Sequence, residues 1–264
     1  MPRQVCSHGD IAVSKGLRNV VYDHLCEQLL TGVLRAGSRV CELTVAKETG
    51  VSRSPVREAI GQLRSEGVLD QVPGYGAFVK SPTREELDEA FQVREWLECE
   101  AIHALASMKV RPSLDKARAG CDKMLEMLKA DSKGADEEIS ADEYDLLERL
   151  DRDFHAAMLH AAGNRRVVKI INDNRLLIHA TACRPSPLTH DKLGEIFSDH
   201  DIILRTVERG DADRARDLML DHVRWAHEES MRVYDELMAQ AEEDETPADV
   251  ARRIGVRYRK RASM

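Results

Sequence analysis

Asp151 and His155 stand four residues apart in LLERLDRDFHAAMLH, a segment with helical periodicity, so both fall on one helix face. Leu147, Leu150, Phe154 and Met158 mark the apolar side of that helix, and the Asp/His pair lies at its edge. Further on, His200 falls at the centre of an apolar stripe formed by Leu193, Ile196, Phe197, Ile203, Leu204 and Val207. His222 falls at the centre of another, made of Ala215, Leu218, Met219, Trp225 and Ala226. A buried imidazole is costly unless both ring nitrogens find partners. One such histidine reads as a satisfied core residue. Two on separate stripes, with an Asp/His pair on a third helix, supply three imidazoles and one carboxylate, a donor set suited to Zn²⁺, Ni²⁺, Mn²⁺ or Fe²⁺. On spacing alone both readings stay open.

Other polar residues interrupt apolar stripes. Arg94 lies among Leu87, Ala90, Phe91, Leu97 and Ala101, with Glu98 one turn on, and Asn174 lies among Val167, Ile170, Ile171, Leu177 and Ile178. Arg94 is either half of an internal ion pair with Glu98 or a pocket arginine facing the metal. Arg175 and Arg184 are alternatives for the latter role. His160, His179, His190 and His227 have no partner visible in the sequence and read as structural or exposed.

A second chemistry is concentrated in LTVAKETGVSRSPVREAIGQLRSEGVL, residues 43–69. Two short helices flank a turn in which Gly50 takes a positive φ; Ser52 or Ser54 caps the second helix, and Pro55 fits its first turn. Val56, Ala59, Ile60 and Leu63 form its packed face, while Arg53, Arg57 and Arg64 form a separate guanidinium stripe. Alone, that is an ordinary amphipathic helix with solvated arginines. Two short apolar segments follow around Pro73-Gly74-Tyr75-Gly76 and predict a β-hairpin wing. Helix, turn, helix and wing together describe a winged helix-turn-helix whose second helix suits a DNA major groove.

These elements divide the chain. Residues 1–14 read as a flexible arm, 15–81 as the winged head, 82–242 as an all-α bundle and 243–264 as a charged tail, first acidic and then basic. The first head helix is predicted at Leu17–Leu30. Thr83 caps the next, and further helices are expected over 84–107, 113–130, 141–162, 165–182, 190–209 and 211–242. Breaks are predicted at Arg111-Pro112, DSKGADEE, Ala162-Gly163-Asn164, RPSP and Arg209-Gly210-Asp211. The fold class is mainly α. The net charge of −8 is unevenly spread: residues 1–81 carry 10 Lys/Arg against 8 Asp/Glu, the rest 29 against 39. An acidic body with a mildly basic head suits a local, oriented DNA contact more than general polyanion binding. The six cysteines form no C-x-x-C pair, no apolar run is long enough for a bilayer, and the N-terminus lacks an apolar signal core. The chain therefore reads as a reduced, cytoplasmic protein.

VSRSPVREAI, LRSEGVL and the glycine-containing wing resemble the DNA-binding domain of the GntR family of bacterial transcription regulators. DRDFHAAMLHAAGN and SDHDIILRTVERGDADRARDLMLDHVRWA resemble the FCD ligand-binding domain of its FadR-type subfamily, and the likeness runs from about residue 15 to residue 235. It implies a divalent metal, zinc foremost, on Asp151, His155, His200 and His222, and a small carboxylate or sugar-acid effector bound there with Arg94 and Asn174. It also implies a homodimer on a short palindromic operator of double-stranded DNA, with Ser52, Arg53, Ser54, Arg57 and the Gly74-Tyr75-Gly76 wing at the DNA. A repressor is the commoner sign in that family. The rival class is a metalloenzyme using metal-bound water on a small carboxylate. Against it stand about 80 residues of DNA-binding head and no separate nucleophile or general-base motif.

Overall fold

The structure, a computed structural model, describes residues 8–130, 137–180 and 188–243. In the head, α1 (His8–Leu30), α2 (Glu42–Thr49) and α3 (Arg53–Ser65) pack on a three-stranded antiparallel sheet. The sheet has the order β1 (Arg39–Val40), β3 (Gly76–Val79), β2 (Leu69–Val72). The wing register pairs Leu69 with Val79 and Val72 with Gly76.

Val56, Ala59, Ile60 and Leu63 are buried, as their helical spacing requires, against Val21, Leu25 and Leu29 of α1. Gly50 ends α2 at φ 69°, a conformation that costs a side-chain-bearing residue energy, and its N–H donates to the Ala46 carbonyl. Ser52 occupies the position before α3, but its side chain makes no capping hydrogen bond.

Two head features differ from expectation. α1 begins at His8, inside the stretch read as an arm, because Gly9 and Gly16 weaken a helix by only about 1 kcal/mol each and no proline interrupts it. β1 is two residues long, too short to show the alternation that reveals a strand. Residues 1–7, the DSKGADEE break as far as Ala135-Asp136, the RPSP break and the tail from residue 244 lie outside the described residues.

The remainder is helical: α4 (Arg84–Ala106), α5 (Asp115–Ala130), α6 (Ala141–Ala162), α7 (Arg165–Ala180), α8 (His190–Arg209) and α9 (Ala212–Glu243). α4 is the inner helix and packs against α6, α7, α8 and α9. Leu87, Phe91, Ile102, Phe154, Met158 and Leu204 are central members of their common core. A reciprocal cap fixes the start of α4: the Thr83 hydroxyl accepts from Glu86 N (3.1 Å), and the Glu86 carboxylate accepts from Thr83 N (2.9 Å). Thr83→Ala should lower stability by about 1 kcal/mol in urea unfolding, and an unchanged midpoint would show that the cap is dispensable.

Candidate metal centre and nucleic-acid interface

Three helices converge on the first site. α6 brings Asp151 and His155, α8 brings His200 and α9 brings His222, and one donor atom from each lies within 4.8 Å of all the others. His155 Nε2 is 3.2 Å from His222 Nε2, and Asp151 Oδ1 is 3.5 Å from His155 Nε2, 3.2 Å from His200 Nε2 and 4.0 Å from His222 Nε2. Metal–ligand bonds of about 2.0–2.1 Å give neighbouring ligands about 2.8–3.4 Å apart in octahedral or tetrahedral coordination, so this set is close to the size of one ion. His200 Nε2 is buried facing the Asp151 carboxylate without a well-formed hydrogen bond, while His222 Nδ1 turns away from the centre toward Asp199 (3.6 Å). A metal would satisfy the His200 nitrogen. The donor set therefore fits a divalent transition metal.

An outer ring orients these donors. Glu98 on α4 lies 2.5 Å from His155 Nδ1 through one oxygen and accepts from Arg94 Nε (2.7 Å) through the other. With its Nδ1–H on Glu98, His155 turns a bare Nε2 toward the centre. Asp151 divides in the same way, with Oδ1 toward the imidazoles and Oδ2 accepting from Arg175 Nη1 (3.1 Å).

The electrostatics follow from this packing. Burial opposes the ionisation of Glu98, but Arg94 and then His155 outweigh it and hold the carboxyl well below its usual range. Asp151 is held low against burial by His155 and Arg175. Burial pushes the His200 pKa down to about 4 and lowers that of His222, which keeps both neutral and available as donors at neutral pH.

A cavity of about 160 Å³ opens beside the centre, with Arg94, Asp151, Arg175, His222 and Trp225 in its wall. A dry cavity of about 150 Å³ accommodates benzene, so this one suits a molecule of six to ten heavy atoms, roughly. Asp151 keeps 26% of its side chain exposed. Arg175 Nε and Nη2 are buried and unpartnered. Both readings of Arg94 are realised at once, since it pairs with Glu98 and lines the cavity.

Asn174 is placed differently. It sits next to Arg175 on α7 with its Nδ2 buried and unpartnered, but it is not in the cavity wall. Adjacent helix residues point about 100° apart, so Arg175 occupies the place expected for Asn174. Glu98 was legible only as an ion-pair partner of Arg94, and its contact with His155 needs the packing of α4 on α6. Of the other histidines, His190 Nδ1 meets the Glu137 carbonyl (2.8 Å), His227 stacks on Phe91 with its Nε2 3.0 Å from Asp88, and His160 is exposed. The His179 side chain and Arg184 lie outside the described residues.

The head carries the second site. Ser52, Arg53, Ser54, Arg57 and Arg64 are exposed along the start and outer face of α3, and Tyr75 is exposed at the wing tip between Gly74 and Gly76, both at positive φ. The structure adds a residue that sequence reading missed. Glu42, at the start of α2, accepts from Arg53 Nη2 and from Arg57 Nε, each at 2.9 Å. Burial opposes its ionisation, and the two arginines pull its pKa below the usual value. It holds two guanidinium groups side by side on the face offered to a partner.

A winged helix-turn-helix head with exposed arginines, joined to a helical bundle, is the architecture of a DNA-binding transcription regulator. Comparison with known proteins agrees. Residues 89–224 match the FCD domain, and residues 17–79 match the family described as "Bacterial regulatory proteins, gntR family". The chain belongs to the GntR family of bacterial transcription regulators and carries an FCD domain; the family and the relatives found are regulators and not enzymes.

Relatives include the HTH-type transcriptional regulator YdhC of Bacillus subtilis, 27% identical, with the match covering 76% of this chain and 85% of YdhC. The gluconate operon transcriptional repressor of the same organism is 32% identical over 61% of this chain and 60% of its own length. Among solved structures, E. coli McbR/YncC shares the fold with a TM-score of 0.70 at 19% identity, covering 84% of this chain and 98% of that one. No helix among the described residues is long and apolar enough to cross a membrane.

Two outcomes test the centre. Glu98→Gln should weaken zinc binding about 10–100-fold in a competition titration, and an unchanged affinity would detach Glu98 from the site. In metal-free protein the His200 pKa is about 4, against 6.5 for the free side chain. Between those values the unfolded chain takes up a proton that the folded chain refuses, so stability falls as pH drops from 6.5 toward 4 and does not depend on this residue above 6.5. Chelator-treated protein should lose about 2 kcal/mol between pH 7 and pH 5 in urea unfolding, and equal midpoints would contradict the burial of a neutral His200.

Proposed function

We propose that this protein is a repressor whose operator affinity is set by a small carboxylate or sugar acid bound at a metal centre in its bundle. Asp151, His155, His200 and His222 would hold the metal, with zinc the best match to three imidazoles and a carboxylate and nickel, manganese or iron the alternatives. The observation that carries the reading is the junction of that donor set with the cavity, whose wall includes Arg94 and Arg175. When bound, the cation supplies a positive centre that a carboxylate and an adjacent hydroxyl can ligate. Arg175 and Arg94 then orient the acid, since a guanidinium fork matches carboxylate geometry.

Charge also favours an acid over a neutral sugar. Half-buried Asp151 and buried Glu98 are already matched by buried Arg94 and Arg175. A divalent cation adds positive charge in a low-dielectric setting, and an anionic ligand offsets it. Two relatives carry names in keeping with this, the gluconate operon repressor and a probable D-xylose utilization operon transcriptional repressor of Paenarthrobacter nicotinovorans.

At the DNA, a homodimer would set two α3 helices in successive major grooves of a short palindrome. Arg53 and Arg57 would reach bases or phosphates, Ser52 and Ser54 the backbone, and the Gly74-Tyr75-Gly76 wing the flank. Arg57→Ala should weaken operator binding by about 1–3 kcal/mol in a gel-shift titration, and unchanged affinity would remove it from the contact set. For the sensor, Arg175→Lys keeps the charge beside Asp151 and loses the fork. It should blunt release of operator by the effector about ten-fold or more while zinc content and operator affinity stay at wild-type levels; a full response would reject Arg175 as an effector contact.

A further inference from the structure

The cavity is not enclosed by the bundle alone. Leu29, Leu30, Thr31, Gly32 and Arg35 line it too, and these belong to the end of α1 and the turn after it, in the DNA-binding head. That turn is internally braced. Thr31 N donates to the Glu27 carbonyl (2.9 Å), Leu34 N to Gln28 O (2.9 Å) and Arg35 Nε to Gly32 O (2.9 Å), with Gly32 at φ 68°. Leu29 is 1% exposed and belongs to the head's own core, so the turn moves only with the head.

The head is seated on α7 by a second contact. Leu176 is buried within the head's apolar cluster, alongside Val21, Leu25 and Leu29. Lys169, two turns earlier on the same side, lies 3.5 Å from Glu66 of the head, whose other oxygen accepts from Tyr22 Oη (2.8 Å). α7 therefore sends Leu176 into the head and the adjacent Arg175 into the cavity, where it holds Asp151. A single rigid helix links the seat of the head to the metal carboxylate.

We propose that the effector site is shared between the two parts of the chain. The Thr31–Arg35 turn is one wall of the cavity, and an acid bound beside the metal centre clamps the head onto α7. The inference rests on the reading of this cavity as the effector site. It adds the contact through which occupancy is felt by the head. A ligand buried between two bodies binds their docked arrangement more tightly than the undocked one, so its binding energy shifts the head's position directly. No relay through the length of the bundle is needed.

The test uses the full chain with Trp96→Phe, which removes an indole that is 65% exposed and leaves Trp225, in the cavity wall, as the single tryptophan. Leu176→Glu, with Leu176→Ala as the milder companion, is placed in that background to unseat the head, and zinc content reports that the bundle is intact. Acrylamide quenching of Trp225 should rise about two-fold, and amide exchange of residues 29–35 about ten-fold, with zinc unchanged. Equal quenching and equal exchange in zinc-loaded parent and variants would overturn the shared wall. If Leu176→Glu loses zinc, the comparison is read from Leu176→Ala. Lactate or malate, whichever stabilises the zinc-loaded parent, should slow exchange in residues 29–35, and this slowing should vanish in the Leu176 variants. Slowing confined to bundle segments would also overturn the proposal. Failure of the metal-sensor reading shows separately, as a parent protein that takes up no zinc.

Discussion

The bundle depends on how the charge of Asp151 is shared. A carboxylate surrounded by three imidazoles and apolar helices is stable only if both of its oxygens are used, and here they face opposite ways. One turns to the donor atoms of α6, α8 and α9, the other to Arg175 on α7. Glu98 repeats the arrangement one layer out, between His155 and Arg94. Two carboxylates and two guanidinium groups thus tie α4, α6 and α7 together at the point where α8 and α9 deliver their histidines. Breaking such a buried pair on one side costs on the order of 3–5 kcal/mol, far more than a surface pair. The same groups that would hold a cation and an acid in the proposed site therefore also set the spacing of five helices.

This coupling of site and scaffold explains why sensing can be local. The cavity lies where the charge network meets solvent, and its remaining wall is the turn after α1. α7 touches both the network and the head core, through Arg175 and Leu176. On the proposed reading, a head carried on a rigid helix would need only a small rotation to lose register with a half-site, because Arg53 and Arg57 would have to reach one groove while a partner's reach another. Glu42 holds both guanidinium groups in place on the exposed face of α3.

Much of this was legible in the sequence because buried chemistry interrupts periodic patterns. His200 and His222 stand out since they occupy positions that their helices' apolar stripes reserve for core, and Asp151 and His155 share a face by simple spacing. The hairpin wing showed itself through its Pro/Gly turn, and the bundle helices through caps such as Thr83. What stayed hidden was pairing across elements. Glu98 was assigned to Arg94 because a one-turn neighbour is visible in sequence, whereas its contact with His155, 57 positions away, is not. Glu42 precedes its two arginines by 11 and 15 positions, beyond any helical repeat. Asn174 and Arg175 differ by a single step of helical phase, and it is Arg175, offered only as an alternative to Arg94, that joins Arg94 in the cavity wall. β1 and the early start of α1 carry too little pattern to be seen.

The most direct test of the account is the metal content of the purified protein, measured together with its thermal midpoint before chelation, after chelation and after zinc is restored. The account predicts about one divalent ion per chain, a midpoint that falls when the ion is removed and recovers when it returns. A protein that holds no metal and keeps the same midpoint through all three conditions would show that Asp151, His155, His200 and His222 are a self-satisfied polar core, and the sensing centre would not exist.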